Sequence, residues 1–181
     1  MAAFLVGVLV LTSFGQTNLE WKKLQCQGRP VFNRYFNYAE GFSVAMPKRI
    51  RGRHGQVDGP ERGVSIPLSP DCTGVVVVYG EPNSADLPKP TAAISSEVET
   101  VVKEDPGAEV RRYTTRVGNL KAAGVTVRHS RTSEVEDIVI AFRPGGGPVY
   151  TARLSTTKRR SKQDRNVLLK VLRSFRLEPW R

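Results

Sequence analysis

Four strand-like segments follow one another in the second half of the chain, and this series most constrains the fold. They cover residues 108–117, 120–132, 134–142 and 148–156. The connections are short, and two of them hold turn residues, namely Gly118 with Asn119 and residues 143–147 (RPGGG). Short turns join antiparallel neighbours, whereas parallel strands need a long crossover. The series therefore predicts an antiparallel meander.

Further strands are predicted before the meander. Residues 40–46 (EGFSVAM) alternate apolar and polar side chains and stop at Pro47, which is typical of a half-buried strand. Residues 64–68 form a second short candidate. Residues 75–79 (VVVVY) are apolar at every position, so they predict a central strand that is covered on both faces.

Two helices are predicted beside these strands. Ile94, Val98 and Val101 recur at helical spacing, Ser96 with Glu99 resembles a capping box, and the helix should end before Pro106. The second helix is predicted over residues 161–175, with Ser161 as its cap, Asp164 in its first turn and an apolar stripe that should lie on the sheet. Together these elements predict an α+β fold, in which an antiparallel sheet is flanked by helices.

The first residues predict export. Residues 4–11 are apolar, the run is too short to span a bilayer, and Ser13 and Gly15 are small residues before a cleavage site at Gln16. No Lys or Arg precedes Lys22, which is compatible with a start further upstream. The alternative is a buried N-terminal strand or helix of a cytosolic domain. We expect a signal peptide over 1–15, an N-terminal arm over 16–37 and one domain over 38–181.

Two cysteines, Cys26 and Cys72, occur in the chain. An even number in an exported protein is first interpreted as a disulfide, which would join the N-terminal arm to the body of the domain. The alternative is a catalytic Cys72 with His129 as its base, as in a small envelope hydrolase. The wide spacing of the cysteines and of the two histidines, His54 and His129, does not match a zinc signature, so no metal or other cofactor is expected.

The formal net charge is +11, and the basic residues occur in clusters. Lys48, Arg49, Arg51 and Arg53 follow the first strand candidate, and Lys158, Arg159, Arg160 and Lys162 lie at the start of the last helix. In an exported protein such charge indicates an anionic envelope polymer, lipid head groups or an acidic protein as partner. Solvated loops that keep a basic protein soluble are the alternative. Nucleic acid is not expected, because aromatic residues make up 8% and are not interleaved with the arginines.

Several phrases resemble those of the PsbP-like group of α/β/α sandwiches. They are residues 40–47 (EGFSVAMP), 148–154 (PVYTARL) and 171–176 (VLRSFR), and the similarity covers residues 38–177. The resemblance implies an antiparallel sheet between helices and a protein that binds other proteins instead of catalysing. It assigns no catalytic residue to this chain.

We therefore expect a non-enzymatic binding or assembly module of the cell envelope, without a membrane-spanning segment in the mature chain. The alternative remains a small hydrolase with a site near His129 or Cys72. The irregular stretches over residues 51–62 and 80–90 are where either function would lie, because binding and catalytic residues concentrate in loops.

Overall fold

The computed structural model describes residues 24, 26–54, 63–84 and 86–179. The predicted signal peptide over 1–15 and the start of the predicted arm lie outside these residues. The strands are β1 Arg29–Val31, β2 Arg34–Asn37, β3 Phe42–Ala45, β4 Gly52–His54, β5 Gly63–Pro67, β6 Val75–Pro82, β7 Glu109–Val117, β8 Leu120–Arg128, β9 Glu134–Phe142, β10 Pro148–Thr157 and β11 Arg176–Leu177, and the helices are α1 Pro90–Glu104 and α2 Ser161–Ser174.

Within the described residues, eight strands form one antiparallel sheet, the large sheet, in the order β1-β4-β5-β6-β10-β9-β8-β7. The predicted meander is present as β7 to β10. The turn between β7 and β8 has Gly118 at φ +55°, and its amide donates to Leu172 of α2 at 2.7 Å. The apolar strand β6 lies inside the sheet, and its residues Val75 to Val78 are buried, as predicted.

In the part of the chain that the structure describes, each face of the large sheet carries one helix. Ala93, Ile94 and Val98 of α1 pack against β8 and β9, including Val125 and Ile138. The opposite face packs against α2 through residues that include Leu168, Val171 and Leu172. Alternate residues of β9 point to the two helices, because side chains alternate along a strand. The chain is thus an α+β sandwich with an antiparallel sheet between helices, as the sequence predicts.

The layer that contains α2 also contains a second sheet, which the sequence analysis missed. In the described residues it has the order β11-β3-β2. The predicted strand over 40–46 is its middle strand, and β2 lies in the segment interpreted as an arm. Both neighbours of β3 are short, with four and two residues, so neither is long enough for an alternating pattern to be recognised in the sequence.

An aromatic cluster joins the small sheet to the rest of the core. Phe42 of β3 stacks on Phe175 with ring centroids 5.5 Å apart, and both rings contact Tyr150 of β10 at 5.6 and 5.0 Å. The Tyr150 hydroxyl donates to the Glu40 carbonyl at 2.9 Å. All three rings are buried, and burial raises the pKa of Tyr150, so the hydroxyl remains a donor at neutral pH.

The predicted helix caps are both wrong. Helix α1 begins at Pro90 with Lys89 as its N-cap, so Ser96 and Glu99 lie inside the helix. Proline is favoured in the first helical turn, where its missing N–H has no partner to lose. Helix α2 has Arg160 as its N-cap, and the Ser161 hydroxyl donates to the Lys158 carbonyl instead. The predicted end of α1 before Pro106 is confirmed by its C-cap, Asp105.

Cys26 and Cys72 form a disulfide, as predicted from their number. Their α-carbons are 6.2 Å apart, and the bond closes a sequence separation of 46 residues. Cys72 lies in the β5–β6 loop. The two ends of this loop are joined by a hydrogen bond of 2.8 Å, which the Leu68 amide donates to the Gly74 carbonyl. In the described part of the chain, neither helix is long and apolar enough to span a membrane.

The aromatic cluster predicts unequal effects of two phenylalanine substitutions. Phe42→Ala should reduce the free energy of unfolding by about 3 to 5 kcal/mol, because it removes a fully buried ring from a packed core. The control is Phe36→Ala on the neighbouring strand, where the ring is 45% exposed, and its cost should stay below about 1 kcal/mol. Urea unfolding measures both. Equal costs would contradict the packing of the small sheet onto the large one.

Candidate functional site

The first basic cluster lies at one end of the large sheet. Lys48 and Arg49 occupy the turn between β3 and β4, and Arg51 directly precedes β4; all three are exposed. Strand β4 pairs antiparallel with β5 in the register Arg53 opposite Ser65. Continuing this register places Arg51 level with Pro67, at the end of β5.

The second basic cluster lies at the same end. Lys158 and Arg159 are exposed in the turn after β10, and Lys162 is exposed in the first turn of α2. Strand β10 pairs antiparallel with β6 in the register Ser155 opposite Val75, so β10 ends where β6 begins. The β5–β6 loop over residues 68–74 therefore lies between the two clusters. We call this surface the basic corner; it comprises residues 48, 49, 51, 158, 159, 160 and 162.

Arg160 connects two parts of the basic corner through hydrogen bonds of its side chain. Its guanidinium donates to the Leu68 carbonyl at 2.8 Å and to both carboxylate oxygens of Asp164 at 3.2 Å. Asp164 is buried, and the Thr156 hydroxyl donates to it at 2.5 Å. The loop approaches so closely that a Cβ at Gly74 would lie 2.7 Å from the Asp164 carboxylate. Arg160 therefore links the loop to α2 through its Nε and Nη2 atoms.

Arg53 is placed differently from the other residues of its cluster. It is half-buried in β4, opposite Ser65 and Pro30, and its guanidinium donates to the Gly28 carbonyl at 3.5 Å. Arg51 instead lies over the ring of Phe32, with its Cζ 5.0 Å from the ring centroid. A cation over an aromatic face is stabilised by about 0.5 to 1 kcal/mol at an exposed site.

Exposed aromatic residues are a feature that sequence reasoning missed. Phe32 is 55% exposed beside Arg51. The rings of Phe36 in β2 and of Tyr38 directly after it stack with their centroids 5.8 Å apart. The order along the chain separates these rings from the arginines. Only the pairing of β1 with β4 brings Phe32 to Arg51, so the sequence carries no local signal for this contact.

One carboxylate lies in the loop of the basic corner. Asp71 is exposed, and its carboxylate accepts a hydrogen bond from the Thr73 hydroxyl at 3.0 Å. Hydrogen bonds from Ser69 and Thr73 lower the pKa of Asp71 below its ordinary value of 3.8. Asp71 is thus an anion at neutral pH, and it offsets one of the positive charges.

The contacts of Cys72 and His129 do not support the alternative of a small hydrolase. Cys72 is bonded to Cys26, so its sulfur is not available as a thiolate nucleophile. The His129 Nδ1 lies 3.3 Å from Asp105. The Ser130 hydroxyl donates to the same carboxylate rather than to the imidazole, whereas a hydrolase triad needs the serine on the imidazole.

The contacts of Asp105 have a structural effect. The hydroxyl and the amide of Ser130, together with His129, lower the pKa of Asp105 below 3.8. This stabilisation of the fold is present above pH 3.8 and is lost as the pH falls through the lower folded value. Since Asp105 also caps the end of α1, the three residues join α1 to the end of β8.

A cavity of 200 Å³ lies beside His129 and is lined by residues that include Glu97, Glu104, Glu134, Glu136 and Arg153. Its two hydroxyls are engaged with the backbone, since Thr100 donates to the Ser96 carbonyl and Thr132 accepts from the Glu134 amide. Across the described residues, no group of three or more His, Cys, Asp or Glu side chains is placed to hold a metal ion.

Several of the first residues of both predicted functional loops belong to strands. Strand β6 continues to Pro82, and Asn83 closes the following turn through two hydrogen bonds to Leu87 at 3.0 Å. His54 belongs to β4 rather than to a loop, and its ring lies 5.3 Å from that of Tyr35. Residues 55–62 lie outside the described residues.

Solved structures show the same architecture. The solution structure of cyanobacterial PsbP (CyanoP) from Synechocystis sp. PCC 6803 is 17% identical and has a TM-score of 0.57, and the match covers 92% of this chain and 98% of that one. LpqN of Mycobacterium tuberculosis, described as involved in cell envelope biogenesis, is 13% identical, with a TM-score of 0.54 over 84% of this chain and 91% of that one.

A third similar structure is the Saccharomyces cerevisiae Ran-binding protein Mog1p, which is 10% identical, with a TM-score of 0.54 over 84% of this chain and 97% of that one. No protein-family model and no curated protein sequence matches the chain. The structural matches show that the chain has a PsbP-like fold, in agreement with the resemblance found in the sequence.

Two neighbouring arginines should differ sharply in their effect on stability. Arg160→Gln should reduce the free energy of unfolding by about 2 kcal/mol, because it leaves the buried Asp164 carboxylate and the Leu68 carbonyl short of a donor. Arg159→Gln removes the same charge from an exposed side chain and should change stability by no more than about 0.5 kcal/mol. Thermal or urea unfolding measures both, and similar effects would show that Arg160 has no linking role.

Proposed function

We propose that this protein is an exported, non-enzymatic binding or assembly module of the cell envelope, whose basic corner recognises an acidic protein or an anionic polymer. The observation that carries the proposal is the position of two basic clusters, distant in sequence, around one loop at one end of the sheet. Of their side chains, Lys48, Arg49, Lys158, Arg159 and Lys162 are exposed there.

The charge of the whole chain supports the same partner chemistry. A formal net charge of +11 attracts anions over several ångströms and raises the rate of encounter with them. The cluster adds local specificity, because several cations on one surface bind a multivalent anion more strongly than scattered ones do. The ring of Phe32 beneath Arg51 adds an apolar contact at the edge of the surface.

The proposed location in the cell envelope is supported by other observations. A disulfide is typical of oxidising compartments outside the cytosol. Two proteins of the same fold are described as involved in cell envelope biogenesis and as binding Ran, respectively. They support a binding or assembly role on this fold, while the envelope as the site of action is inferred from the disulfide, the apolar leader and the LpqN likeness together.

Charge reversal in the basic corner tests this role. The double variant Lys158→Glu with Arg159→Glu should bind phosphatidylglycerol vesicles or polyglutamate about tenfold more weakly than the wild type, and all binding should weaken as salt rises. Cosedimentation measures binding to the vesicles, and fluorescence anisotropy measures binding to polyglutamate. The two probes distinguish a lipid surface from an acidic protein.

The control is the double variant Lys170→Glu with Arg173→Glu, which changes the charge equally on exposed positions further along α2. It should retain most of the affinity. Equal losses in the two variants would mean that only net charge matters, and salt-independent binding would mean that anions are not the ligands. Either result would overturn the basic corner as a recognition surface.

A further inference from the structure

Strand β7 forms an open edge of the large sheet. It pairs with β8 over its whole length, from Glu109 opposite Arg128 to Val117 opposite Leu120. Among the described residues, no strand pairs with its other side. The edge of a sheet presents unpaired backbone N–H and C=O groups, which can bind another extended chain.

A groove runs along this edge beside α1. One cavity of 340 Å³ is lined by residues that include Ile94, Ser95 and Arg112, and a second cavity of 370 Å³ by residues that include Pro90, Arg116 and Lys121. Both are lined by Thr91, Thr114 and Ala123, so they form one continuous groove. Alternate side chains of a strand added at β7 would point into it.

The groove is cationic. Lys89, Arg112, Arg116 and Lys121 line it, and no carboxylate is among the residues that line either cavity. Within the described ranges these four side chains form no ion pair, and the Arg116 guanidinium donates only to the Asn119 carbonyl at 3.0 Å. Charges on an edge strand also protect against aggregation, but protection does not require an adjoining groove with an apolar floor.

The register of β7 determines which occupant fits. Arg112, Thr114 and Arg116 lie opposite Val125, Ala123 and Lys121, so they share the face of the sheet that carries α1. If two copies of β7 paired antiparallel about Thr114, Arg112 of each would lie opposite Arg116 of the other. Like charges directly opposite each other are destabilising, whereas opposite charges stabilise a strand pair.

We propose that β7 binds an extended acidic segment of a partner protein by strand addition, with alternate acidic side chains of that segment on Arg112 and Arg116. Residues four apart in a strand are separated by about 13 Å, so the segment needs acidic residues four positions apart to reach both arginines. This surface lies on β7 and α1 rather than on the basic corner, and the inference stands apart from the proposed function.

The test uses the full chain and a labelled peptide of alternating glutamate and valine, measured by fluorescence anisotropy. The peptide should bind the wild type, and Arg112→Glu with Arg116→Glu should weaken it about tenfold or more. The control is Arg111→Glu, an exposed residue of the same strand on the opposite face, which should change affinity less than about threefold.

A second peptide tests the backbone without altering the protein. Replacing its central valines with proline keeps the charge and removes the N–H groups that a ladder needs, so binding should be lost. Binding unaffected by proline would mean adsorption by charge alone and would overturn strand addition. Dimerisation of the chain through β7, or binding of anionic vesicles in place of the peptide, would assign the surface to another occupant and would also overturn it.

Discussion

The basic corner depends on the hydrogen bonds of one buried carboxylate, Asp164, at the start of α2. Asp164 accepts hydrogen bonds from Thr156 of β10 and from Arg160, and Arg160 extends the connection to the carbonyl of Leu68. These contacts fix three parts of the chain to one another: the end of β10, the first turn of α2 and the β5–β6 loop. The disulfide joins the same loop to Cys26 through Cys72. Because both basic clusters border this loop, its position sets the spacing of their charges.

Neighbouring residues of one type therefore have different roles. Arg159 is exposed to solvent, whereas Arg160 is bonded to a buried carboxylate and to a loop carbonyl. A charged side chain in a half-buried position is stabilising only when its partners are in place, so Arg160 constrains the local structure while its neighbours remain available to an anion. The same contrast holds between Arg112, which lines the open groove, and Arg165, which lies 3.3 Å from the buried Asp137. The positive charge of this protein is thus divided between structure and surface.

The parts of the fold that sequence predicts are those with local signals. The meander from β7 to β10 follows from alternating residues and hairpin turns, and the inner strand β6 from its unbroken apolar run. The small sheet could not be predicted, because β2 and β11 are only four and two residues long. In addition, β11 pairs with β3 from the other end of the chain. The start of α1 is misplaced in the sequence because Ser96 with Glu99 resembles a capping box, whereas the helix begins at Pro90 with Lys89 as its N-cap. The two basic clusters can be recognised in the sequence as groups of neighbouring Lys and Arg residues. Their location at the same end of the sheet depends on strand register, which the sequence does not reveal. The hydrogen bond from Arg160 to Leu68 likewise depends on tertiary structure.

The central claim is that the two basic clusters act as one surface, and backbone amide NMR tests it most directly. The ligand for the titration is a short sulfated polysaccharide. It is anionic, but it has no peptide backbone that could pair with β7 as an added strand. We expect the largest shifts in residues 48–51 and 158–162 together, with one dissociation constant that rises with salt. Shifts confined to one cluster, or largest around the cavity beside His129, would contradict the account.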